Sequence, residues 1–126
     1  MASELRVDTL KDSSGNNSVG MAYVSNGSAK AWVQLLTSTA VAEDSFNISS
    51  GTDNGTGDFT TTFSSSMNND DYAVSATSGF KTTVNDSTFS ATKTISTSAV
   101  RTRTGTDGGS VNDSQLNHHI VFGDLA

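Results

Sequence analysis

Residues 43–76 read EDSFNISSGTDNGTGDFTTTFSSSMNNDDYAVSA. Three runs in this stretch alternate apolar and polar residues, and two turn-rich clusters separate them. Phe46 and Ile48 alternate with Asn47 and Ser49. Phe59 and Phe63 share a phase with Thr61 between them, and Tyr72, Val74 and Ala76 form a third set. A period of two places each set on one face of a half-buried strand. The expected product is an antiparallel meander whose most elaborate turn is residues 51–57. Phe46, Ile48, Phe59, Phe63, Tyr72 and Val74 are thereby assigned to a core. Asn54 and Gly55 are expected at positive φ, with Gly57 as a bulge or second turn residue.

Working outward toward the amino end, residues 29–36 (AKAWVQLL) place Ala29, Ala31, Val33 and Leu35 in one phase. Lys30, Trp32 and Gln34 fall in the other, so Trp32 is expected to face away from the apolar side. A helical turn competes with a strand here. The preceding Asn26-Gly27 favours the strand, because that dipeptide is a strong signal for a tight hairpin. Before it, Val19, Met21 and Tyr23 alternate with Gly20 and Ala22. Residues 11–17 (KDSSGNN) form a turn cluster. Leu5, Val7 and Leu10 stand against Glu4, Arg6 and Asp8 in a short strand or extended arm.

Toward the carboxy end, a turn around Gly79 leads through Phe80 and Thr82 to Val84, with a further turn at residues 85–87. Phe89, Ala91, Lys93 and Ile95 share a phase. Arg101 and Arg103 fall opposite Val100, Thr102 and Thr104, and residues 105–112 form a second glycine-rich loop. Leu116, His118, Ile120 and Phe122 then alternate with Asn117, His119 and Val121. Phe89, Ile120 and Phe122 complete the expected core. Roughly eight to ten strands, with turn signals about every eight to twelve residues, favour a sandwich or compact barrel over βαβ units. The expectation is an all-β chain: an antiparallel β-sandwich or compact jelly-roll-like domain over residues 18–126, preceded by a short extended arm over residues 1–17. No long amphipathic helix is visible, so any helix is expected to be a single turn.

Composition agrees with a sheet protein of thin core. Hydrophobic residues make up 33% of 126, below the usual share, while serine and threonine supply nearly a third and proline and cysteine are absent. Threonine is β-branched and stiff, so it favours sheet without adding apolar surface. A chain with little core and no disulfide gains stability from neighbouring copies, which points to an oligomer. The net charge of −6 and the lack of a basic patch argue against nucleic acid as a partner. No apolar run is long enough to span a membrane, so no membrane insertion is expected.

Several constellations invite chemistry. Asp53, Asn54, Thr56 and Asp58 carry oxygen ligands of the kind calcium takes, but the bidentate glutamate of an EF-hand loop is replaced by Ser64. The segment is therefore read as a turn. His118 and His119 are neighbours, so on a strand they face opposite sides and cannot converge on one ion. One of them could form a three-fold ring in a trimer; the favoured reading leaves one at the surface and packs the other at a sheet or subunit contact. No metal site and no cofactor are assigned. No G-x-S-x-G elbow is present. The acidic pairs Glu43-Asp44 and Asp70-Asp71 flank turns and point apart, unlike glycosidase carboxylates. Arg101 and Arg103, near Lys93, suit an anion or acidic sugar, or more simply a sheet face opposite acidic residues. Sequons such as Asn47 and Asn85 arise by chance in a chain this rich in Asn, Ser and Thr. No enzyme is expected.

Residues 45–63 (SFNISSGTDNGTGDFTTTF), with Met67 and Tyr72-Ala73-Val74, resemble a module of tailed-phage virion proteins, frequent in marine and cyanobacterial phages near the carboxy end of tail fibre or fibre-like proteins. Residues 29–33 (AKAWV) and 121–124 (VFGD) fit the same pattern. Residues 4–16 (ELRVDTLKDSSGN) resemble the amino-terminal arm of short phage fibres. The resemblance implies a β-rich, homotrimeric head displayed on a virion, anchored on other tail or capsid proteins through Leu5, Val7 and Leu10 of the arm. Long fibre regions precede the module in many family members, whereas arm and head here almost touch, which implies a very short fibre, a spike tip or a knob. A capsid decoration protein and a carbohydrate-binding module, with host surface glycan as ligand, are the alternatives. The family supplies no ligand residues to carry over.

Overall fold

A computed structural model describes residues 3–80 and 88–126 of the chain. The expected strand through Val84 and the turn at residues 85–87 lie outside these residues. The described residues are all-β apart from one short helix, with three antiparallel sheets. Strands β1 (Thr9–Lys11) and β2 (Ser18–Gly20) pair as a hairpin of their own. The division expected between residues 17 and 18 falls inside this hairpin. Helix α1 (Met21–Gly27) follows. The first four-stranded sheet has the order β4 (Val41–Phe46), β3 (Ala31–Leu36), β10 (Leu116–Phe122), β7 (Ala73–Gly79). The second has the order β5 (Ile48–Gly55), β6 (Asp58–Phe63), β9 (Ala99–Thr106), β8 (Thr88–Ser96).

The two larger sheets lie face to face, because each core cluster draws residues from both. Ala31 and Val121 of the first sheet pack with Phe63 and Val100 of the second, joined by Met67 and Tyr72. Val33, Leu35 and Ala40 pack on Phe59, and half-buried Ile48 touches both clusters. The Phe63 and Tyr72 rings meet edge to face at 6.0 Å, and the Tyr72 hydroxyl donates to the carbonyls of Ser96 and Ala99. This aromatic contact ties the β6–β7 connection to the β8–β9 turn.

Two expectations about local structure are corrected. The run through Val19, Met21 and Tyr23 is not a strand with a hairpin at Asn26-Gly27; residues 21–27 wind into two turns of helix with Asn26 and Gly27 at its end. Among the described residues no strand pairs with residues 21–27, and Lys30 provides an ending for a helix. Its ammonium donates to the carbonyls of Ser25 and Ser28, which the helix leaves unpaired. The run through Phe46 and Ile48 is also not one strand. Asn47 alone separates β4 from β5, at φ 56°, and sends the chain from the first sheet into the second. Asparagine tolerates that left-handed conformation better than most residues. Its side chain fixes the corner: the amide donates to Lys30 and Ser65 carbonyls and its oxygen accepts from the Ser65 N–H at 2.7 Å.

That corner explains why Phe46 is 51% exposed and not in the core. It closes β4 on the outer face of the first sheet, while Ile48, beyond the corner, turns inward. Ile120 and Phe122 are likewise exposed, because β10 buries its other phase: Asn117, His119 and Val121. Asn117 and His119 face Thr102 and Thr61 between the two sheets, where the hydroxyls need partners. Phe89 lies half-buried against Gly105 rather than between the sheets; its strand neighbour Ser90 points inward to Asn117. Phe59, Phe63 and Tyr72 are buried, and Ile48 and Val74 pack half-buried against the clusters.

Candidate functional site

The β5–β6 turn is held by its own acids. Gly55 and Gly57 take positive φ, and Asn54, expected to share that conformation, does not; it sits within β5. Asp53 Oδ1 accepts from the Gly55 N–H at 2.8 Å, an Asx turn. Gly57 approaches β9 so closely that a Cβ would lie 2.5 Å from the Thr104 carbonyl, and its N–H donates to Asp113 at 2.6 Å. Asp58 receives both forks of Arg101, at 2.6 and 2.8 Å, and the ammonium of Lys93. These contacts hold its carboxyl down at about 2, against an ordinary 3.8. The Asp53 and Asp58 carboxylates are thus engaged in contacts of the fold itself. Among the described residues no group of three or more His, Cys, Asp or Glu could hold a metal ion.

The same geometry accounts for the basic cluster. Arg101 spends its fork on Asp58, so Lys93, Arg101 and Asp58 make an ion-paired patch on the outer face of the second sheet, with Arg103 in register with Asp58. The two histidines face opposite ways. His118 lies on the outer face of β10 beside Gly79, while His119 is buried between the sheets. The Glu43 carboxylate accepts from Gln34, and Asp44 sits at the register position opposite Gln34.

What remains is the outer face of the first sheet. The pairing register sets Phe46, Trp32 and Ile120 side by side across β4, β3 and β10. They are 51%, 37% and 43% exposed, and Phe122 extends the patch one pleat further. The adjacent row is polar: Asp44, Gln34, His118 and Thr77 across the four strands. A groove of about 600 Å³ runs between α1 and this sheet, lined by Met21, Val24, Phe46 and Leu125 among others. The Trp32 orientation follows from alternation, since Ala31, Val33 and Leu35 take the interior. The Phe46–Ile120 part of the row was hidden in the sequence by the Asn47 corner and by the polar interior phase of β10. The amino-terminal residues proposed as an anchor are also exposed, with Leu5 at 77% and Val7 and Leu10 near the hairpin less so.

No family model, curated protein or solved structure matches this chain. Among the described residues no helix is long and apolar enough to cross a membrane.

Proposed function

We propose that the chain is a structural component of a tailed-phage particle: a short fibre- or spike-like head, assembled as a homotrimer and displayed on the virion. In this reading the two four-stranded sheets are the layers of a β-sandwich. A sandwich is preferred to a jelly-roll-like order because β3–β4, β5–β6 and β8–β9 pair as consecutive hairpins. The observation that supports a displayed, assembling head is the exposed row Phe46–Trp32–Ile120. A contiguous apolar patch of this kind on a sheet face marks a contact surface more often than bare surface. The amino-terminal hairpin, with Leu5, Val7 and Leu10 in water, is the anchor on neighbouring tail or capsid proteins.

Localisation on intact particles by cryo-electron microscopy tests the reading, together with sedimentation of the free chain. Density at the tail supports the fibre assignment, density on the shell replaces it with capsid decoration, and absence from purified particles overturns both. Deleting residues 1–16, which removes β1, is expected to abolish attachment while leaving the two four-stranded sheets folded.

A second reading has its own observation. Trp32 lies beside a row of hydrogen-bonding side chains, Asp44, Gln34 and His118, which is the chemistry of a sugar platform: an apolar ring face with polar groups at its rim. Saturable binding on a glycan array, lost in Trp32→Ala, would favour it over a purely structural role.

A further inference from the structure

Strand β10 carries its inner row from Val121 through His119 to Asn117, and all three are fully buried. The first belongs to the apolar cluster; the other two form a polar seam with the second sheet. His119 Nε2 lies 2.8 Å from Thr61 Oγ1 on β6. Thr61 Oγ1 also lies 3.4 Å from the Val100 carbonyl; with its hydroxyl proton directed there, the imidazole proton sits on Nε2 and His119 is the donor. Nδ1 is then a bare lone pair, buried without a partner. Further along, Asn117 Nδ2 donates to Thr102 Oγ1 on β9 at 2.7 Å, and its oxygen accepts from Ser90 on β8. Every inward bond of β10 beyond Val121 is therefore a side-chain bond to the opposite sheet.

We propose that His119 is an acid-released latch: protonation of its ring uncouples β10 from β6 and opens the polar seam between the sheets, while the apolar end around Phe63 and Val100 stays closed longest. A proton added at Nδ1 creates an N–H donor with no acceptor and a charge with no counter-ion. The charged groups nearby do not face it. His118 shares the strand but lies on its outer side; β3 and β7, which flank β10, carry no titratable residue. Asp58 on β6, Arg101 and Arg103 on β9 and Lys93 on β8 belong to the outer face of the second sheet, and Glu43 and Asp44 lie on the edge strand β4. Burial, with a smaller push from His118, holds the His119 ring down at about 4 against an ordinary 6.5. The folded state thus resists a proton that the unfolded chain accepts. The stabilisation is full above 6.5 and drains as pH falls from 6.5 toward 4. Asp58 adds little over this window, because its carboxylate stays mostly ionised in both states down to pH 4.5.

The test is denaturant unfolding of the full chain at pH 7.5, 6.5, 5.5 and 4.5, beside a dye that binds exposed apolar surface. The unfolding constant is expected to rise about fivefold from pH 6.5 to 5.5 and about sevenfold more from 5.5 to 4.5. Dye binding is expected to rise only at the acid end, toward pH 4.5, where the folded ring begins to take up its proton, while the far-ultraviolet sheet signal persists. A flat unfolding constant over that range overturns the proposal. His119→Gln keeps a donor toward Thr61 and is expected to remove the slope; a slope retained in the variant overturns the assignment to His119. If that variant does not fold, proton NMR of the wild-type imidazoles decides, with resonances assigned through His118→Gln. A His119 ring that titrates in the folded protein near 6.5 sinks the latch, and one that stays neutral to below pH 5 supports it.

Discussion

Strands β3 and β10 lie side by side in one sheet and bury their inner rows to the same depth, yet the rows differ in kind. On β3 the row is Ala31, Val33 and Leu35; on β10 it is Val121, His119 and Asn117. The partners across the interior differ to match: Phe63 and Phe59 lie under β3, Thr102 and Thr104 near β10, with Thr61 between the two aromatic rings of β6. Burial depth alone therefore does not define this core. Under β3 the contacts are non-directional and scale with apolar area. Under β10 they are hydrogen bonds, each modest in net value and expensive to break on one side only. A chain with one third hydrophobic residues closes two sheets by using both materials.

The largest expected effect falls on the apolar row. Leu35 is completely buried against Val33, Ala40 and Phe59. Its δ-carbon also lies within reach of Gly51, where an added Cβ would sit 2.1 Å from the Ala40 carbonyl, so the surrounding backbone has no slack to collapse inward. Leu35→Ala should cost about 3–5 kcal/mol through lost burial plus a cavity. Urea unfolding measures it. A cost below about 1 kcal/mol would mean that the apolar column is not what holds the sheets together.

The polar row should answer less steeply. Asn117→Leu keeps a side chain of similar size but strips the partners from Thr102 and Ser90. The expected loss is about 1–3 kcal/mol, arising from stranded hydroxyls rather than from lost area. The same urea titration is the measurement, and an effect as large as that of Leu35→Ala would erase the distinction between the rows.

That distinction was only half legible in the residues. Alternation located β3, β6 and β9 and turned Trp32 outward, because on those strands the inner phase is either apolar or β-branched. It failed on β10, where the phase holding Leu116, Ile120 and Phe122 looks like the core and the one holding Asn117 and His119 looks like surface. Hydrophobicity counts cannot reveal that threonines on β6 and β9 wait across the gap with unmet hydroxyls. The β4–β5 run failed for a different reason. Asn47 was visible only as one asparagine among many, and its left-handed corner depends on acceptors at Lys30 and Ser65, far away in sequence. The exposed row on the first sheet stayed hidden for both reasons together, since two of its three members were assigned to the core.

On the outer face of the second sheet, the Asp58 cluster shows what a comparable set of polar contacts achieves near water. Arg101 and Lys93 remain partly exposed while they bind the carboxylate. Asp58→Asn is expected to cost about 0.5–1 kcal/mol, because solvent screens the pair. The Asp58 carboxylate is harder to protonate in the fold than in the unfolded chain, so its stabilisation is present above 3.8 and is lost as pH falls from there toward 2. A thermal melt series from pH 5 to 2 should show wild type and Asp58→Asn converging at the acid end. Divergence there would assign the pair some other role.

The smallest expected effect is the most informative about the two rows. If the seam under β10 costs stability only when it is half removed, then removing both sides together should restore most of the loss. Asn117→Leu combined with Thr102→Val leaves no stranded partner between those two positions, and Ser90, half-buried at the margin, can turn to water. The double variant is expected within about 1 kcal/mol of wild type, well above Asn117→Leu alone, because replacing both partners with apolar groups of like shape is nearly neutral. That result would show that the polar row is not needed for stability at neutral pH and that its retention answers to something else, for which the acid response at His119 is the nearest physical candidate. Strict additivity of the two single losses would show the reverse: a seam whose geometry supports the sheets in a way that apolar replacement cannot supply.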